Sequence, residues 1–173
     1  FTIFDIYMQK FDAKDLRILR ALQRDSGTAV ADLATQIGLS INACWRRVKR
    51  LQEEAIDRQV AILEPERFGF GLTAFVSVRT NEHNEQWLQT FSRGIHKIDE
   101  IVEFYRLSGQ YDYLLKILVK DVADYDKVYK RIIKIAPLSD VSSSFAMERI
   151  KSTTASPIYC LLYTSPSPRD RPL

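Results

Sequence analysis

At 173 residues, 46% hydrophobic and 27% charged, the chain can hold one ordinary domain or two small ones, and its composition excludes a disordered or fibrous protein. Its formal net charge of +3 permits a polyanionic partner without demanding one. No run approaches the roughly eighteen apolar residues of a membrane span, no leader pattern opens the chain, and Cys44 and Cys160 lie too far apart to suggest a disulfide framework, so a cytoplasmic protein with no membrane partner is expected.

Residues 1–10 read as an extension, with Met8 the expected start and residues 1–7 upstream read-through. Asp12 is placed to cap a helix running to about Arg24, with Leu16, Leu19 and Leu22 on one side and Ile18 nearby, closed by Asp25-Ser-Gly27. Thr28 to Gly38 reads as a short helix with Val30, Leu33, Ala34 and Ile37 inward, ending at a glycine turn. Ser40 then caps a third helix, in the stretch Leu39 to Leu51, on which Ile41, Cys44, Trp45, Val48 and Leu51 recur at helical spacing as one apolar stripe. Asn42, Ala43, Arg46, Lys49 and Arg50 point elsewhere, and Arg47 sits at the boundary. A basic helix face alone is as readily a solvated surface as a nucleic-acid contact. A short helix, a glycine turn and a basic helix in succession make a helix-turn-helix, which tips the reading toward DNA.

Arg58-Gln-Val-Ala-Ile-Leu63 alternates as a short strand, and Pro65, Gly69 and Gly71 punctuate the stretch after it, so residues 57–71 read as a linker strand. Beyond it the order is strand, helix, strand, strand, helix, strand, a ferredoxin-like split βαβ. Leu72, Ala74, Val76 and Val78 share one face of the first strand; Trp87, Leu88, Phe91, Ile95 and Ile98 form the stripe of the first helix. Ile101–Leu107 and Tyr113–Val119 are strands joined by the hairpin Ser108-Gly-Gln-Tyr-Asp112. Asp121 caps the second helix, with Val122, Tyr125, Val128/Tyr129, Ile132/Ile133 and Ala136 on one side, and Pro137 stops it; Asp140 to Ile150 returns as the last strand. Both helices fall on one sheet face, so Phe75, Val102 and Leu118 on the other call for a second subunit as cover. Residues 159–173, with Ser165-Pro-Ser-Pro-Arg-Asp-Arg-Pro172, lack periodicity and read as a disordered or non-native tail resembling translated adaptor sequence.

Several segments together carry a family resemblance: Asp12-x-x-Asp15-x-x-Ile18-Leu19, Asp32-Leu-Ala-x-x-Ile37-Gly-Leu-Ser40, Cys44-x-x-Arg47-Val-x-Arg-Leu51, Leu107-Ser-Gly-x-Tyr-Asp-Tyr-Leu-Leu-Lys116, Val141-Ser-Ser-Ser-Phe-Ala-Met-Glu148 and Thr153-Thr-Ala-x-Pro157. Over about residues 11–158 the chain resembles the Lrp/AsnC, or feast/famine, transcription regulators. The resemblance implies an α+β fold: an N-terminal helix-turn-helix, winged-helix-like DNA-binding domain over 11–56 and a C-terminal ferredoxin-like βαββαβ domain over 72–158 for effector binding and oligomerisation. It implies a homodimer built by sheet-on-sheet packing, assembling to higher oligomers, with paired recognition helices on double-stranded DNA. Ser40, Asn42, Ala43, Arg46 and Arg47 align with the groove-entering part of that helix. Arg46 or Arg47 would meet a guanine edge, Asn42 adenine, and Lys49 and Arg50 phosphate.

The resemblance also implies an amino-acid effector at Gly109, Gln110, Tyr111 and Asp112. Turn N–H groups suit its carboxylate and Asp112 its ammonium, although Gly109 and Asp112 would equally serve to make and cap the turn. Gln110 stands where the family often has an acid, and Ala55 where it often has glycine, the latter read as a helix ending without a left-handed cap. Two other readings compete: an effector-independent protein that wraps DNA, and an enzyme akin to the sirohaem decarboxylases that resemble this family. The second would want clefted histidines, and His83 and His96 read as surface residues. No Cys/His cluster has metal spacing, no glycine-rich phosphate loop occurs and no nucleophile–base pair can be placed, so no catalytic residue, metal or cofactor is expected.

Overall fold

The computed structural model describes residues 11–158, and the expectations for 1–10 and 159–173 lie outside them. The first helix, α1 (Ala13–Leu22), begins at a capping box. The Asp12 carboxylate accepts from the N–H groups of Lys14 and Asp15, while Asp15 accepts from the Asp12 N–H. These bonds satisfy donors that a helix's first turn otherwise leaves orphaned. α2 (Val30–Ile37) ends at Gly38, whose φ of 72° is the left-handed cap that a side chain resists. Two residues on, the Ser40 hydroxyl accepts from the Ala43 N–H and opens α3 (Ile41–Glu54), which ends at Ala55 with φ −135° and no left-handed cap, as read from the sequence.

Ile18, Leu33, Cys44 and Leu51 are fully buried where the three helices meet. The stripe on α3 is narrower than its periodicity suggests. Cys44, Val48 and Leu51 are buried, but Ile41 and Trp45 are 58% and 52% exposed. At roughly 100° per residue the three buried positions fall within about 60° of one another, and a helix with two neighbours has little more of its circumference covered. Trp45 lies outside that arc.

The strand expected at Arg58–Leu63 does not form. These residues have no regular secondary structure, with Val60, Ile62 and Leu63 exposed, and are followed by a single 3-10 turn at Pro65–Phe68. Alternation makes a segment able to pair, but pairing needs a neighbour, and among the described residues the four strands pair only with one another.

Those strands are β1 (Leu72–Arg79), β2 (Ile101–Arg106), β3 (Tyr113–Val119) and β4 (Asp140–Phe145), in the order β2-β3-β1-β4 with every neighbour antiparallel. Helices α4 (Glu85–Ile95) and α5 (Val122–Ile132) pack on one face. Together these give the split βαβ. Ala74, Val76 and Val78 from β1, Leu115 and Ile117 from β3, and Phe91 and Ile132 from the helices are sealed from solvent. The last strand stops at Phe145 rather than Ile150: its pairing with β1 runs from Asp140 opposite Arg79 to Phe145 opposite Ala74, with a final bond from the Ala146 N–H to the Thr73 carbonyl, and β1 itself begins one residue further on, at Leu72. Val122, expected inward on α5, is 59% exposed, and of the pair Ile132/Ile133 it is Ile132 that is buried; Tyr125, Val128 and Ile132 form the buried face, with Tyr129 packed beside them.

On the sheet's other face Phe75 is 38% exposed and Val102, set outward by an irregularity in β2, is 48% exposed, with Leu114 and Leu118 half-buried between them. Lys116 Nζ meets Glu103 Oε1 at 2.7 Å there, and the Tyr105 hydroxyl donates to Glu103. The chain divides into two compact units: of the described residues, 11–61 with 151–158 form one and 62–150 the other. The returning segment joins the three-helix unit through Gln23, whose amide accepts from the Ser156 N–H at 2.6 Å and donates to the Ser156 carbonyl at 3.4 Å.

Candidate nucleic-acid interface and effector hairpin

Four cations on α3 fall into two pairs with different environments. Arg47 Nη1 lies 2.7 Å from Asp12 Oδ2 and 2.7 Å from Asp15 Oδ1, and Arg50 Nη2 lies 2.5 Å from Asp15 Oδ2. Asp15 is 1% exposed. A carboxylate buried that deeply is tolerable only when its oxygens are met by cations and donors, and Asp15 has two guanidinium groups and the Asp12 N–H. The Asp15 N–H, then Arg47, hold the Asp12 carboxyl below its usual range, and the bonds to Asp12 and Asp15 push Arg47 higher. Arg47 and Arg50 therefore turn back toward the start of α1.

Arg46 and Lys49 do not. Both are exposed, and neither holds an ion pair or hydrogen bond among the described residues. Asn42 is exposed one turn before Arg46, Ala43 is half-buried, and the Ser40 hydroxyl is engaged in the cap. An open groove beside the helix is lined by Asp12, Leu39, Ala43, Arg46, Arg47 and Arg50. Asp15 entered the sequence reading only within the motif Asp12-x-x-Asp15 of the family resemblance; its pairing role was signalled by acids at 12 and 15 matching arginines at 47 and 50, the same three-residue step on each helix. Arg17 was missed as well. Its guanidinium donates to the Gln36 carbonyl at 2.7 Å, tying α1 to the C-terminal end of α2, where a cation is favoured by the exposed carbonyls. Cys44 is a buried thiol whose pKa burial pushes up, a packing residue rather than a reactive one.

The hairpin between β2 and β3 closes through the Leu107 N–H on the Asp112 carbonyl at 2.8 Å, and Gly109, at φ 143°, takes a conformation foreign to other residues. Asp112 Oδ2 accepts from the Thr80 N–H at 2.9 Å, and the Asp112 N–H donates to Val78, so this residue ties the hairpin to the end of β1. Its other oxygen lies 3.9 Å from His83 Nδ1. Gln110 is engaged through its backbone: Arg79 Nε and Nη2 donate to its carbonyl at 2.9 and 2.7 Å, and the same guanidinium sits 5.5 Å from the Tyr111 ring centroid. The structure thus gathers Gly109, Gln110, Tyr111 and Asp112 with Arg79, Thr80 and His83, three residues that sequence spacing did not connect to them. His96, by contrast, faces its own helix, with Nδ1 2.7 Å from the Ser92 carbonyl.

Residues 11–54 match the family model described as winged helix-turn-helix DNA-binding, and residues 73–156 match that of the Lrp/AsnC ligand binding domain. The DNA-binding transcriptional activator DecR of Escherichia coli is 43% identical over 149 residues, which is 85% of this chain and 98% of DecR. A crystal structure of an AsnC family transcriptional regulator from Agrobacterium tumefaciens has a TM-score of 0.82 at 48% identity, covering 87% of this chain and 99% of that one. The transcriptional regulator NMB0573 of Neisseria meningitidis, solved as an L-Met complex, has a TM-score of 0.82 at 30% identity, covering 88% of this chain and 99% of that one.

Proposed function

The chain belongs to the Lrp/AsnC family of DNA-binding transcriptional regulators, and from that premise we propose how its own residues divide the work. α3 enters the major groove with Asn42 and Arg46 toward base edges and Lys49 toward phosphate, while Ser40 and Ala43 lie close to the backbone at its start. Arg47 and Arg50 hold the helix to α1 and reach DNA only where their remaining donors allow. The observation that carries this reading is the contrast between two arginines consumed by Asp12 and Asp15 and two cations left exposed on the same helix. Arg46→Ala is expected to relax base preference at one position, costing about 1–3 kcal/mol, whereas Lys49→Ala weakens all sequences alike and lowers the salt slope by about 0.9. Footprinting titrations at several salt concentrations read both. A preference unchanged in Arg46→Ala defeats the assignment.

The hairpin of the second unit is the proposed effector site, for an amino acid by analogy with the L-Met complex of NMB0573. Asp112 Oδ1 suits an ammonium group, and the Arg79 guanidinium and the turn N–H groups suit a carboxylate. A thermal-shift screen of the twenty amino acids, followed by a mobility shift with any that stabilises, tests it. One observation favours the effector-independent, DNA-wrapping reading: Asp112 already serves Thr80, and silence across the screen with DNA binding intact selects that reading. The open sheet face around Phe75, Val102, Leu114 and Leu118 supports a homodimer that associates further, and DNA as the partner is the ground for placing it in the cytoplasm. Sedimentation at micromolar concentration checks the dimer, and a stable monomer refutes it.

A further inference from the structure

Ile41 and Trp45 lie one turn apart on α3, on the flank between the buried Cys44 and Val48 and the outward Asn42, Arg46 and Lys49. They are 58% and 52% exposed, and neither belongs to the apolar side chains that pack on the core of their unit, which include Leu19, Leu39 and Ile56. Helical spacing places Ile41, Trp45 and Lys49 on one line and Asn42 and Arg46 on the next. The cations beside the apolar pair are thus the two without a counter-charge, while those on the opposite flank are spent on Asp12 and Asp15. The helix carries carboxylates only at Glu53 and Glu54, in its last turn.

A partner for this surface must offer apolar contacts and negative charge within a few ångströms of each other. Duplex DNA does so: a major groove presents thymine methyl groups and deoxyribose carbons flanked by phosphates. We infer that Trp45, with Ile41 beside it, is a specificity-determining DNA contact, its ring lying against thymine methyl and sugar surface next to the phosphate that Lys49 neutralises. The inference rests on α3 being the groove-entering helix and goes beyond it, since that reading assigns contact only to polar, charged and small residues. It also explains why a large aromatic sits outside the buried arc of its own helix.

The chain has two tryptophans, and Trp87 is 4% exposed, so the neutral quencher acrylamide reaches Trp45 selectively in the full-length protein. The probe is a duplex recovered by selecting the purified protein on a random-sequence library. Saturating duplex is expected to remove most of the acrylamide-quenchable fluorescence. Trp45→Ala is expected to bind that duplex about tenfold more weakly, scaled to roughly half an indole of buried apolar surface, with its salt slope unchanged because an apolar contact releases no counterions. Trp45→Phe retains most of the affinity, and unchanged circular dichroism melting keeps the comparison free of a folding defect. Quenching that duplex leaves intact, or parental affinity in Trp45→Ala, overturns the inference. So does loss of self-association by Trp45→Ala in sedimentation, which assigns the pair to contact between copies. If Arg46→Ala and Lys49→Ala weaken binding while Trp45→Ala does not, the groove reading stands and this one falls; if all three bind as the parent does, both fall.

Discussion

Arg47→Ala is expected to act on stability far more than on base preference. In the folded protein Arg47 meets Asp15 Oδ1 and Asp12 Oδ2, while Arg50 and the Asp12 N–H converge on Asp15 Oδ2. Removing one partner of a fully buried ion pair costs about 3–5 kcal/mol, because the remaining charge is left in a medium that cannot solvate it. Two features reduce that figure. Oδ2 keeps both of its donors, and the Arg47 side chain is 29% exposed, so water can follow the truncated residue toward Oδ1. The loss should therefore be about 2 kcal/mol, near the value of one hydrogen bond to a charged group. Arg50→Ala, at 43% side-chain exposure, should lose about 1 kcal/mol. Arg47→Lys should recover part of the loss, since both bonds come from the single nitrogen Nη1 and an ammonium carries donors enough for them. Asp15→Asn has the opposite signature on DNA: it destabilises the unit while removing the counter-charge of Arg50 and one of the two that hold Arg47, so low-salt affinity rises and the salt slope steepens. Urea melts followed by the helical circular dichroism signal, with acrylamide quenching of the exposed Trp45 to report on the three-helix unit, give the stabilities, and duplex titrations give the slopes. A loss below about 0.5 kcal/mol in Arg47→Ala, the range of an ordinary surface change, refutes the argument. Relaxed base preference at unchanged stability does so too, by moving Arg47 to the DNA.

In the second unit, a Cβ on Gly94 would stand 2.3 Å from Ile135 Cγ2, so Gly94→Ala should destabilise by about 1–3 kcal/mol despite alanine's better helix propensity, and Ile135→Ala should restore much of the loss in a double-mutant melt. Glu103 is held below its ordinary 4.5, mainly by the Lys116 bond, so it contributes stability that is present above about pH 4.5 and lost as pH falls through its lower folded value. The acid limb of a melting-temperature profile should flatten in Lys116→Met, and a profile identical to the parent's excludes that origin. Asp112→Asn keeps an oxygen for the Thr80 N–H but removes the charge. Its melting temperature should stay near the parent's while any amino-acid stabilisation disappears, whereas Asp112→Ala should lose both; an Asn variant that still responds refutes an ammonium contact.

Much of this architecture could be read from the chain because the features involved are local. The caps at Asp12, Gly38, Ser40 and Asp121 act within three or four residues of themselves, and the change from helical to alternating periodicity announces the split βαβ without reference to anything distant. The basic helix after a glycine turn was legible for the same reason. What periodicity leaves open is how much of a face its neighbours cover: Ile41 and Trp45 share the spacing of Cys44 and Val48 yet lie in water, because two packed helices bury only a narrow arc of a third. Nor does a segment's own pattern say whether a partner strand is there to receive it, and the alternating Arg58–Leu63 meets none among the described residues. The division of the α3 cations is tertiary in the strictest sense, since Asp15 meets Arg47 and Arg50 across 32 and 35 residues. Arg79 and Thr80 reach the hairpin across 31 and 32 residues only because β1 pairs with β3. Residue type and spacing decide which groups carry charge and which helix face presents them, but folding decides which charges are neutralised internally, because a Coulomb partner is chosen by distance in space.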